Sequence, residues 1–272
     1  MEKLRTTDGR NAGREIINRF FASYRDKTII NGKHSIQDWI DKYEGERYVQ
    51  SLITYKMYHG KSYAQSLREA FQIYSTGGSV SMFPPSEARR LYLALASKSI
   101  LDPCAGWGGR CLAAMALGLD YVGFDTNLAL ARPYEEMIGI YKPEDSRVRI
   151  IFKDSCLISE ADDVPGSIDT VLTSPPYWSS ENVLKERYEY MPVYASESEF
   201  NKIYLEPMVR KTWNILIVGG HYCINTNESQ YDALIKIIGR KSDMRFKLRK
   251  NIRGRDDGYE EYIYIWKKTS SV

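Results

Sequence analysis

The sequence predicts a doubly wound α/β protein with a mostly parallel sheet, on three observations. From Ser97 onward, short apolar runs alternate with segments of helix length, the pattern of a parallel sheet covered on both faces. Three of those runs end in aspartate and the fourth ends in serine, so polar groups collect where strands give way to helices. The C-terminal stretch then reads as two adjacent strands joined by the polar, glycine-containing "RGRDDG", a hairpin signal.

The elements follow in order. Residues 14–76 are helical in pattern and lack strand runs. "REIINRFFASYR" repeats apolar positions at helical spacing, "SIQDWIDKYEGERYVQSLITYKMY" starts at a Ser35 cap, and "SYAQSLREAFQIY" carries Tyr63, Leu67, Ala70, Phe71 and Tyr74. "STGGSVSMFPP" (75–85) breaks the pattern with two glycines and two prolines. Residues 1–80 are therefore expected to form a helical region packed onto a larger domain, 81–272. In that domain the strands are "SILD" (99–102), "YVGFD" (121–125), "RVRIIFKD" (147–154), "IDTVLTS" (168–174), "GGHYCINT" (219–226), "RFKLRKNI" (245–252) and "YEEYIYIWKK" (259–268), seven in all.

Composition narrows the function classes. Of 272 residues, 43% are hydrophobic and 27% charged, an ordinary globular balance. No apolar run reaches the roughly 18–20 residues that span a bilayer, and the N-terminus is polar. A cytoplasmic protein without a membrane partner is the expectation. Four isolated cysteines and three histidines, without a C-x-x-C pair, argue for reduced thiols and against a structural metal site. Net charge is only +3, but it is unevenly spread. Residues 1–100 hold 16 Lys/Arg against 10 Asp/Glu, residues 101–235 hold 11 against 20, and residues 236–272 hold 11 against 5. An acidic body between two basic flanks suits a polyanionic partner, although solvated surface gives the same pattern.

In an open parallel sheet, ligands sit beyond the carboxyl ends of the strands. After the first strand, "LDPCAGWGGRCLAAMALG" makes a glycine-rich strand-to-helix turn. It fails the dinucleotide fingerprint because Cys111 stands at the third glycine position, and it has no Gly-Lys-Ser/Thr, which excludes a P-loop. A nicotinamide-dependent oxidoreductase is thereby disfavoured. The second strand ends in Asp125, 19 residues after Gly106, where an acidic side chain can take ribose hydroxyls or simply cap a helix. The third ends in Asp154-Ser155, placed to cap or to accept from an adenine amine. The fourth ends in "TSPPYW" (173–178), whose consecutive prolines stop ladder hydrogen bonding and stiffen the turn.

In that order, "DPCAGWGGR", "GFD", "KDS" and "SPPYW" resemble the S-adenosylmethionine-dependent methyltransferases. The last motif resembles those that methylate exocyclic amines of DNA bases. "MFPPSEARRLYLAL", "WNILIVGGHYCI" and "EEYIYIWKK" also resemble segments of that family, so the likeness covers residues 82–268. It implies a Rossmann-like methyltransferase sheet. It also implies an S-adenosylmethionine site built from Phe83, Pro84, Asp102, Pro103, Cys104, Ala105, Gly106, Trp107, Gly108, Asp125, Thr126, Asp154, Ser155 and Ser174. S-adenosylhomocysteine would be the product.

The catalytic group implied is Ser174, Pro175, Pro176 and Tyr177. Ser174 and the Pro175 carbonyl would accept the hydrogens of a weakly nucleophilic amine, and Tyr177 would stack on a flipped base. Trp178 would wall the base pocket. Arg253 and Arg255, or the basic N-terminal region, would contact nucleic acid phosphates. Serine in place of the commoner aspartate favours cytosine N4 of DNA, as in restriction–modification enzymes. Adenine N6, an RNA base, or a catalytically silent nucleic-acid-binding subunit stand as alternatives.

Overall fold

The computed structural model describes residues 1–6, 9, 11–28, 35–74, 82–178, 192–248 and 261–270. The predicted phosphate-contacting arginines Arg253 and Arg255 lie outside the described residues. The chain divides into two compact units. One comprises Met1–Phe21, Met82–Leu184 and Pro192–Val272, the other Ala22–Ser81 with Lys185–Met191. The first 21 residues therefore go with the sheet body rather than with the helices after them. The cause is apolar packing: α1 (Glu2–Thr6) lies against α6 (Pro85–Ala94) and α7 (Gly109–Leu117). Phe21 meets Tyr134 edge-on at 5.0 Å, and Phe20 meets Tyr141 at 6.1 Å.

The larger unit is a seven-stranded sheet in the order β3-β2-β1-β4-β5-β7-β6. The strands are β1 (Ser99–Asp102), β2 (Asp120–Asp125), β3 (Val148–Phe152), β4 (Thr170–Thr173), β5 (His221–Thr226), β6 (Met244–Lys247) and β7 (Tyr262–Lys267). The first five are parallel, while β7 pairs antiparallel with both β5 and β6. All seven fall inside or within a residue of the predicted spans. Strand β4 is fully buried and β5 nearly so, which explains their near-continuous apolar runs. Helices α8 (Ala131–Tyr141), α9 (Glu197–Phe200), α10 (Glu206–Ile215) and α11 (Glu228–Ile238) complete this unit, with a π-helical turn at Asn201–Leu205 before α10. Sequence order reverses in space between β1 and β4, the switch point of the sheet.

The smaller unit holds the C-terminal part of α2 (Arg14–Asp26) from Ala22 on, then α3 (Ile36–Tyr43), α4 (Arg47–Tyr58) and α5 (Tyr63–Tyr74). Ser35 caps α3 as expected: its hydroxyl accepts from the Asp38 amide at 3.1 Å, and Asp38 accepts from the Ser35 amide at 2.7 Å. Ile36, Ile40, Val49, Ile53 and Ala70 form its buried core. Among the described residues no helix is long and apolar enough to cross a membrane.

Candidate active site at the carboxyl edge of the sheet

Strand β1 delivers Asp102 to its own carboxyl end, and the loop that follows is built around that one carboxylate. Asp102 is completely buried and faces Arg110, itself 4% exposed, at 2.6 Å between Oδ2 and Nε. Tyr121 donates to the same oxygen at 2.6 Å, and the Cys104 amide donates to Oδ1 at 3.2 Å. Arg110 also donates to the Cys104 carbonyl and lies 5.0 Å over the Phe83 ring. Burial pushes the Arg110 guanidinium down, but the Asp102 charge and hydrogen bonds, with Tyr121 and Tyr92, together outweigh it, so its value lies above the ordinary one. Both Asp102 oxygens are thus engaged with the chain itself. Its part in any ligand site is to set the loop.

The glycines have two different duties. Gly108 caps α7 with φ +78, where a Cβ would strike the Phe21 ring at 2.9 Å. Gly109 opens the helix at a right-handed φ, but a Cβ there would lie 2.1 Å from the Phe83 carbonyl oxygen. The Phe83–Pro84 segment crosses that spot, which brings those two predicted residues beside the loop. Gly106 is clamped from both sides: its amide donates to Asp125 Oδ2 at 2.7 Å and its carbonyl accepts from the Tyr134 hydroxyl at 2.9 Å. Its Cα-hydrogen side is open, with nothing nearer than the Cys104 carbonyl at 3.8 Å from a would-be Cβ.

Asp125, at the end of β2, also accepts from the Asn127 amide at 2.8 Å. Burial pushes its carboxyl up to about 6, while the two backbone donors act in the opposite sense. Each of its oxygens has taken one donor and keeps accepting capacity. Asp154 caps the turn Ser155–Leu157 through the Cys156 amide at 2.8 Å and likewise keeps acceptors to spare. Ser155 is buried, and its hydroxyl has no partner among the described residues. Pro103, Ala105 and Trp107 are buried, Cys104 is half-buried, and Thr126 is exposed. Cys104 and Cys156 both touch Tyr204, on the π-helical turn: Cys104 Sγ lies 2.9 Å from its hydroxyl and Cys156 Sγ 3.3 Å from its carbonyl. Burial pushes both thiols up to about 12. Neither is therefore a thiolate nucleophile at neutral pH.

At the end of β4 the two prolines have different fates. The Pro176 carbonyl accepts from Gln230 Nε2 at 2.9 Å. The Pro175 carbonyl accepts no hydrogen bond from any described residue. Ser174 and Tyr177 are half-buried and meet over Asn225, at the end of β5. Ser174 Oγ lies 3.1 Å from the Tyr177 hydroxyl and 3.2 Å from Asn225 Oδ1, and the Tyr177 hydroxyl lies 2.5 Å from the same amide oxygen. Glu261, just before β7, approaches Tyr177 at 3.2 Å. Trp178 is 2% exposed, packs on Phe200 at 5.9 Å, and accepts from Asn227 through its carbonyl at 2.6 Å. It is wall rather than open platform.

Of the predicted residues, the structure brings Phe83, Pro84 and 102–108 into one loop cluster. It sets Asp125, Asp154 and Ser174–Tyr177 at successive strand ends on the same sheet edge. Sequence reading missed the roles of Arg110, Tyr134, Asn225, Gln230 and Glu261. Asn225 had a usable signal, since it stands in "CINTNE" where a fifth strand reaches that edge.

These features define a Rossmann-like methyltransferase fold. No family model matches the chain, and no curated protein matches it. Among solved structures, a SAM-dependent methyltransferase from Agrobacterium tumefaciens aligns with TM-score 0.50 at 16% identity, over 70% of this chain and 64% of that one. TrmN from Thermus thermophilus aligns with TM-score 0.48 at 14% identity, over 68% of this chain and 48% of its own. The tRNA m1G37 methyltransferase of M. jannaschii aligns with TM-score 0.43 at 17% identity, over 71% and 52%. The chain thus spans about half the length of the last two.

Proposed function

We propose that the chain is an S-adenosylmethionine-dependent methyltransferase acting on an exocyclic amine of a nucleobase. The observation that carries this reading is the open Pro175 carbonyl beside Ser174, at the end of the strand next to the glycine loop. The donor sets fit the cofactor: Asp125 has acceptors left for ribose hydroxyls, Asp154 and Ser155 can serve an adenine amine, and Gly106 presents an uncovered backbone. When bound, the cofactor supplies a methyl group on a sulfonium whose sulfur keeps the bonding pair as the carbon–nitrogen bond forms.

The protein's part is to make the amine reactive. An exocyclic amine has its lone pair delocalised into the ring. Acceptors on its two hydrogens favour the pyramidal nitrogen and stabilise the positive charge that develops there. In this reading Ser174 Oγ and Pro175 O are those acceptors, and the surplus amine proton leaves to solvent. Proline lacks an N–H, so the turn presents a carbonyl that no amide of its own residue can quench. Tyr177 supplies a ring face at the mouth.

Nucleic acid is the partner this chemistry needs, and two polymers carry such amines. Ser174 in its motif resembles the enzymes that make N4-methylcytosine in DNA. RNA is the second polymer, the substrate named for the M. jannaschii protein above. One experiment tests the reading: incubation with isotopically labelled cofactor and separate DNA and RNA pools, followed by nucleoside mass spectrometry. Label in N4-methylcytosine from DNA supports the finer reading. Label in N6-methyladenine or in an RNA nucleoside moves the base or polymer. Transfer to no base amine overturns the proposal.

A further inference from the structure

Serine is an ambiguous group at this position, because its hydroxyl can either donate to or accept from a substrate amine. An amine held by two acceptors needs Ser174 to spend its proton elsewhere. The structure assigns that task to Asn225, which we propose is the positioning residue that fixes Ser174 as an acceptor. The inference rests on the methyltransferase reading and deepens it.

The argument is one of proton accounting. Asn225 is 2% exposed, and its Nδ2 donates to the Tyr262 carbonyl at 3.0 Å. Rotating the amide by half a turn would set Oδ1 against that carbonyl, acceptor against acceptor, so the β7 backbone determines which end faces the hydroxyls. Oδ1 therefore faces Ser174 at 3.2 Å and Tyr177 at 2.5 Å, and it can only accept. Ser174 has one proton and two described partners, the Asn225 oxygen and the Tyr177 oxygen 3.1 Å away. Either choice sends that proton inward and leaves a Ser174 lone pair for the substrate. Tyr177 is held by the same amide oxygen, so one side chain aligns both the acceptor and the aromatic ring. The link crosses the β4–β5 pairing and is locked by the β5–β7 pairing, through the register Thr173 with Ile224 and Asn225 with Ile263.

The test is a double-mutant cycle on the full chain, using Ser174→Ala, Asn225→Leu and the pair, with Asn225→Asp as the conservative variant. Asn225→Leu should lower kcat on the order of 30-fold or more while KM for nucleic acid stays within about threefold, the split of a group acting in the transition state. Cofactor affinity by calorimetry should be unchanged. Asn225→Asp keeps an oxygen that accepts from both hydroxyls, and its protonated form can still donate to the Tyr262 carbonyl, so it should recover most of the loss at low pH. In the Ser174→Ala background, Asn225→Leu should cost clearly less than in the wild type, its remaining effect coming through Tyr177. The inference is overturned if Asn225→Leu leaves kcat intact, if the loss falls in KM or cofactor affinity, if aspartate fails to rescue at low pH, or if the two losses multiply independently. Should the leucine variant fail to fold, Asn225→Ala, which also removes the accepting oxygen, takes its place in the same cycle. A wild-type chain that binds the cofactor but methylates no base amine overturns the underlying reading, and this inference with it.

Discussion

The ends of β1 and β4 lie side by side, and each carries a buried polar cluster, but the two are built to opposite ends. At β1 the cluster is ionic and closed. Asp102 takes donors from Arg110, Tyr121 and the Cys104 amide, and Arg110 returns to the Cys104 carbonyl. At β4 the cluster is built on hydroxyls and is incomplete: Ser174 and Tyr177 share one amide oxygen, Tyr177 also meets the Glu261 carboxylate, and the adjacent Pro175 carbonyl has no described donor. A saturated ionic cluster holds backbone in place. An unsaturated one leaves an acceptor for something outside the chain. A buried charge without a partner is costly, so Asp102 and Arg110 have to close on each other, whereas the half-buried Ser174 and Tyr177 hydroxyls and the carbonyl between them can stay partly unspent.

The largest effect that sharpens this contrast is expected from Asp102→Ala. Removing one partner of the buried pair strands Arg110, and denaturant unfolding should show a loss of about 3–5 kcal/mol. A loss below about 1 kcal/mol would break the claim that this cluster is structural. Next is Gly109→Ala, which places a methyl against the Phe83 carbonyl. A cost of about 2 kcal/mol in unfolding, together with weaker cofactor binding, is expected from the forced shift of the Phe83–Pro84 segment.

A smaller effect comes from pH. The Asp125 carboxyl, raised to about 6 by burial, must be ionised to accept ribose hydroxyls fully. Cofactor affinity by calorimetry should rise as pH passes upward through 6 and fall about tenfold for each unit below it. The sign for stability is opposite. With its folded value above the unfolded one, this group favours the folded state below the usual carboxylate range, and that contribution is lost as pH rises through 6. Affinity that is flat from pH 5 to 7 would remove Asp125 from the site. The smallest effect is reserved for an exposed pair. Arg210 and Glu206 meet at 2.7 Å on the surface of α10, and Arg210→Ala should change stability by no more than about 0.5 kcal/mol.

The sheet was legible because its central strands β1, β2 and β4 are buried and so appear as near-continuous apolar runs, each stopped by Asp or Ser. "SILD", "YVGFD" and "IDTVLTS" locate β1, β2 and β4 to within two residues. The helical region was legible from spacing and from the Ser35 cap. Its boundary was not, because whether residues 1–21 belong with it depends on where Leu4, Ile17 and Phe21 find apolar partners. In the site, Asp125 and Ser174 could be singled out by position. Arg110, Asn225 and Glu261 could not be paired with their partners, since Tyr177 finds Asn225 and Glu261 at separations of 48 and 84 residues.

The chain order alone therefore settles which chemical groups stand at the carboxyl edge: three carboxylates at the ends of β1, β2 and β3, and a serine followed by two prolines at the end of β4. Which of those groups is spent and which is open is decided only when the strands pair. Asp102 is closed because α7 turns Arg110 back onto it, and Pro176 is closed because α11 brings Gln230 to its carbonyl. Pro175 stays open because no described side chain reaches it. Hydrogen-bond saturation is a property of neighbours in space, and those neighbours come from distant parts of the chain.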